Sequence, residues 1–80
     1  MNTSYAKAQS AVATLKAAVF EKLQDNPNGL TNAQLGRSLG IYSGHVGHEG
    51  HISRTLLAFM ESEEVVAQDP ETKIWKICNQ

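Results

Sequence analysis

The chain has 80 residues, seven Lys or Arg against eight Asp or Glu, a formal net charge of −1 and a single cysteine. A chain this short builds one domain with a modest core and a stability of a few kcal/mol, which leaves little margin for a strained catalytic site. One Cys excludes an internal disulfide. Apolar runs such as Leu56-Leu-Ala-Phe-Met60 are far too short to span a bilayer, and no apolar signal core opens the chain, so a cytoplasmic protein is expected.

In chain order, residues 4 to 25 read as a first helix, with Ala8, Ala11, Val12, Leu15, Ala18, Val19 and Leu23 marking its buried face. Asp25-Asn-Pro-Asn-Gly29 ends it with turn chemistry at nearly every position. A short second helix follows over about 32–39. Thr31 and Gln34 fit a capping box, in which the hydroxyl accepts an orphan amide and the Gln side chain reaches back. Ala33, Leu35 and Leu39 form its apolar stripe, with Arg37 and Ser38 turned outward. Gly40 stands where a left-handed residue closes a helix, and Ile41 can fold back onto it.

The next segment contains a three-residue repeat, Gly44-His-Val, Gly47-His-Glu, Gly50-His-Ile. Imidazoles are good ligands for zinc, copper or nickel, but a structural zinc site wants four ligands at spacings that are absent here. No metal or other cofactor is therefore expected. A Gly-rich loop entering a third helix, with His45, His48 and His51 near phosphate oxygens, is the preferred reading.

The third helix is predicted over about 51–62, with Ile52, Leu56, Phe59 and Met60 inward and Leu57 at the margin. Val65-Val-Ala-Gln, a turn at Asp69-Pro-Glu-Thr72 and Lys73-Ile-Trp-Lys-Ile-Cys78 then spell a hairpin over about 65–78. Trp75 and Ile77 are expected to close the core against the first and third helices, with Cys78 a small core or edge residue. The fold class is mainly α with a small β-hairpin, in the order α-α-α-β-β.

With that helical wheel, His51, Arg54, Thr55 and Ala58 occupy the outward arc of the third helix. Arg54 can donate two hydrogen bonds to guanine, Thr55 offers a methyl or a hydroxyl, and Ala58 permits close approach. Ser53 at the margin and His48 in the loop would meet phosphates, and the outward Arg37 is a further DNA-binding candidate. Lys73 and Lys76 beside the hairpin would also meet phosphates, unless the repulsion of Asp69 and Glu71 at the tip leaves the wing purely structural. Five of the eight acids lie between Glu61 and Glu71, toward one end, so the remaining cations are less opposed.

The run Gly29-Leu-Thr-Asn-Ala-Gln-Leu-Gly-Arg-Ser-Leu-Gly-Ile41, then Ile52-Ser-Arg-Thr-Leu-Leu57 and Trp75-Lys-Ile77, resembles bacterial and phage winged helix-turn-helix domains. It is particularly similar to the small ones appended to type II restriction endonucleases and to compact regulators. The resemblance implies sequence-specific binding of double-stranded DNA through the third helix, at His51, Arg54 and Thr55. It departs from the simplest helix-turn-helix pattern in its Gly-His loop and its acidity. Catalysis has no support, because no nucleophile–base pair, phosphate-cradling glycine motif or paired carboxylates are legible. A homodimer is expected through the first helix, where Ala6, Ala13 and Ala17 permit close approach. The other reading is a protein-interaction module that binds no DNA.

Overall fold

The computed structural model describes residues 3–42 and 49–78. Three helices come first: α1 (Thr3–Gln24), α2 (Asn32–Ser38) and α3 (His51–Ser62). Strands β1 (Val66–Gln68) and β2 (Trp75–Ile77) follow as an antiparallel hairpin, with Val66 opposite Ile77 and Gln68 opposite Trp75. The architecture is thus mainly helical with a small hairpin.

The core forms where α1, α3 and the hairpin meet. Val19, Leu23, Leu35, Leu56, Leu57, Met60, Val66, Trp75 and Ile77 are buried together, and Leu15, Phe20, Leu30, Leu39, Ile41 and Val65 pack around them. Alternation along β2 sends Trp75 and Ile77 inward and leaves Lys76 exposed.

Only part of α1 contributes to that core. Of its expected buried stripe, Val19 and Leu23 are buried and Val12, Leu15 and Ala18 half-buried, whereas Ala8 and Ala11 are exposed. A 22-residue helix is about 33 Å long, and the elements packed on it cover only its later turns. Its end is set locally. Asn26 donates through Nδ2 to the Lys22 carbonyl at 2.8 Å, and Pro27 cannot continue the helical ladder.

The termini of α2 follow the chemistry expected of them. Gln34 N–H donates to Thr31 Oγ1 at 3.2 Å, and Thr31 N–H donates to Gln34 Oε1 at 2.9 Å, which completes the capping box. At the other end Gly40 is left-handed, Ile41 N–H donates to the Gly36 carbonyl and Gly40 N–H to the Arg37 carbonyl. Those two bonds are the Schellman closure, and they turn Ile41 back against the core.

A pairing not foreseen from the sequence joins the α1–α2 connection to the hairpin. Leu30 N–H donates to the Trp75 carbonyl at 3.0 Å and Trp75 N–H to the Leu30 carbonyl at 2.8 Å. Gly29 makes room for it: a Cβ there would stand 2.6 Å from the Trp75 carbonyl oxygen. The bridge ties the start of α2 to the far strand of the hairpin.

Candidate nucleic-acid interface

Helices α2 and α3 meet through small residues. Gly36 is buried, and a Cβ on it would come within 2.8 Å of Ser53 Oγ. Ser53 is itself fully buried, with its Oγ 2.7 Å from Asn32 Oδ1 and 3.2 Å from the Gly50 carbonyl. Its single proton is directed to the shorter contact. Asn32 Nδ2 donates to the same Gly50 carbonyl at 3.2 Å. The first residue of α2 is thereby locked to the N-cap of α3 by a fully satisfied polar network.

Gly50 is required at that junction. It is left-handed at φ 83°, and a Cβ would stand 2.6 Å from Asn32 Nδ2 and 2.8 Å from Tyr42 Cε1. Tyr42 also packs on Gly36 and carries the Arg37 guanidinium 4.6 Å above its ring. These contacts fix how α2 and α3 stand to each other.

The burial of α3 corrects the face predicted for it. Ser53, Leu56, Leu57 and Met60 point inward, whereas Ile52 and Phe59 are 43% and 46% exposed. The buried arc is rotated from the expected one by roughly two-thirds of a residue step on a 100° wheel. The reason is the α2 contact: Gly36 and Asn32 give Ser53 a close-packed, hydrogen-bonded place that a hydrophobicity count cannot anticipate. The phosphate contact assigned to Ser53 is therefore withdrawn, since none of its surface reaches solvent.

The outward arc survives that rotation. His51, Arg54, Thr55 and Ala58 are all exposed and stand opposite the buried residues. Arg54 Nη2 donates to the Glu49 carbonyl at 3.2 Å, a single exposed bond that an incoming acceptor can replace. Arg37 is exposed on the α2 side, held over Tyr42. His45 and His48 lie outside the described residues. Among those described, no group of three or more His, Cys, Asp or Glu side chains is placed to hold a metal ion.

At the hairpin, Lys73 and Lys76 are both exposed. Lys73 takes a left-handed φ of 64° and its N–H donates to the Asp69 carbonyl at 2.8 Å. Asp69 Oδ1 accepts from Glu71 N–H at 2.8 Å and Thr72 N–H at 3.2 Å. Those two backbone donors, helped by Lys76, hold the Asp69 carboxyl below its ordinary value of 3.8. The hairpin tip therefore carries a persistent negative charge beside its lysines. A surface cleft of about 420 Å³ runs along this hairpin, lined by Asn28, Gln68, Asp69, Ile74 and Lys76 among others.

The charges divide along α3. Glu61, Glu63 and Glu64 cluster at its C-terminal end, where Glu63 pairs with Lys16 at 2.8 Å. His51 and Arg54 stand in its first turn, at the positive end of the helix dipole. No protein-family model matches the chain, and neither a curated protein nor a solved structure does. No helix among the described residues is long and apolar enough to cross a membrane.

Proposed function

We propose that this chain is a winged helix-turn-helix domain that binds double-stranded DNA and reads the major groove with α3. It would serve as a small transcriptional regulator or an accessory DNA-recognition subunit. The observation that carries this reading is the outward arc of α3. The arginine Arg54, with His51 and the small side chains of Thr55 and Ala58, is exposed on a helix that α2 holds rigidly, with the acidic cluster displaced to its far end. Arg54 faces a base edge as a bidentate donor, and Thr55 and Ala58 allow the backbone to approach. Arg37, Lys73 and Lys76 meet phosphates, and the hairpin serves as the wing.

Electrostatics set the scale of the affinity. With a net charge of −1, about three or four phosphate contacts per protomer are available, so the salt slope should be near −3. Fluorescence anisotropy with a mixed-sequence duplex at several salt concentrations tests this. Binding at low salt that falls with that slope supports the proposal, and no binding to any duplex at low salt overturns it. The protein-interaction reading would then take its place, favoured by the exposed apolar side chains Ile52 and Phe59 on the flank of α3.

A further inference from the structure

The core-facing stripe of α1 runs on past the core. Residues 3 to 11 form more than two helical turns in which every residue is exposed, including Tyr5 at 66%. Tyr5 stands seven residues before Val12, two turns along the same face that carries Val19 and Leu23 inward. Where this overhang begins, a cavity of about 290 Å³ opens between α1 and α3, lined by Val12, His51, Ile52, Thr55, Leu56 and Phe59. Tyr5, Ile52 and Phe59 are the exposed large hydrophobic side chains among the described residues. All three belong to these two adjoining surfaces.

We propose that the two surfaces are the halves of one two-fold interface, and that the occupant of the groove is the α1 overhang of a second copy of this chain. An antiparallel pairing of α1 helices centred between Ala8 and Gln9 sets Tyr5 of each copy opposite Val12 of the other. The aromatic ring then covers Ile52 and Phe59. A two-fold contact requires a self-complementary patch, and this stretch provides one. Between Thr3 and Val12 the only charged residue, Lys7, lies on the opposite side of the helix from Tyr5, and Lys16, whose ammonium stands 5.7 Å over the Phe59 ring, is paired with Glu63.

The area is sufficient for a weak dimer. A footprint of roughly fifteen residues a side, at the ~30–40 Å² per residue of ordinary interfaces, buries on the order of 1,000 Å² in total, the lower edge for specific association. Of the outward arc of α3, Arg54 and Ala58 do not line this groove, whereas His51 and Thr55 do. The interface lies about a quarter turn of α1 away from the surface marked by Ala6, Ala13 and Ala17.

Sedimentation equilibrium over a wide concentration range, without DNA, tests the proposal independently of any DNA binding. The mass of the wild type should rise from 8.7 kDa toward twice that value. Tyr5→Glu and Ile52→Lys should each weaken association about tenfold or more, since each places a lone charge in the apolar contact. The double variant pairs those charges across the interface and should recover most of the loss. Ala13→Glu, outside the footprint, should change nothing. All three positions are solvent-exposed, and circular dichroism verifies that the variants remain folded. A monomer at every concentration overturns the proposal, as does a dimer indifferent to Tyr5→Glu and Ile52→Lys or one broken by Ala13→Glu.

Discussion

Replacing Leu57 by Ala removes three carbons from a fully buried position in the core. At ~0.8 kcal/mol per buried methylene the transfer loss is about 2.4 kcal/mol, and the residual cavity raises the total to about 3–4 kcal/mol. A chain of 80 residues has an unfolding free energy of roughly 4–12 kcal/mol, so the loss is a large share of it. At about 4–8 °C per kcal/mol the melting temperature should fall by roughly 12–30 °C. Ile52→Ala removes a side chain that is already 43% exposed and should cost about 1 kcal/mol. Urea titrations of both variants at low protein concentration measure the two losses directly. If Ile52→Ala costs as much as Leu57→Ala, α3 is seated on the face its hydrophobic periodicity implies, and the burial of Ser53 and Leu57 in place of Ile52 and Phe59 is wrong.

Four further substitutions have defined outcomes. Gly50→Ala should destabilise by at least about 2 kcal/mol, because left-handed strain is joined by overlap with Asn32 and Tyr42. Gly40→Ala, left-handed at φ 73° but with nothing within 4 Å of the added carbon, should cost only about 1 kcal/mol in the same titrations. Ser53→Ala should cost about 1–3 kcal/mol by leaving Asn32 Oδ1 without its buried donor, a loss checked by thermal melting. For Asp69 the folded pKa lies below 3.8, so its ionised form adds stability at higher pH, and that contribution is lost as pH falls through the lower folded value. Melting temperatures of wild type and Asp69→Asn should therefore differ near neutral pH and converge under strongly acidic conditions.

What could be read from the sequence was the chemistry of helix ends and turns. Thr31 with Gln34, and Gly40 with Ile41, act within a few residues of each other, so their patterns carry their own geometry. The outward position of His51, Arg54, Thr55 and Ala58 was legible for the same reason, because helical spacing alone places them on one arc. The seating of α3 was not legible. It depends on Asn32, 21 residues before Ser53, and on Gly36 permitting close approach. Ile52 and Phe59 are as apolar as Leu57, and periodicity gives no reason to expose them. Likewise the early turns of α1 continue an apolar pattern, yet their burial depends on a partner that α3, at 12 residues, is too short to supply. The Leu30–Trp75 bridge is one residue long on its first strand, below the length at which alternation can be seen.

The central claim is that α3 reads DNA and the hairpin only positions it. Selection from randomised duplexes with the wild type, Arg54→Ala and Lys73→Ala tests this most directly, with the affinity for each selected site then measured against salt. Arg54→Ala should lose roughly 1–3 kcal/mol at the preferred site and relax discrimination at one base pair. Lys73→Ala should weaken all duplexes about equally and lower the salt slope by about one, leaving the preferred sequence unchanged. An Arg54→Ala protein that selects the same sequence with full affinity would contradict the account, because α3 would then not be the element that reads the groove.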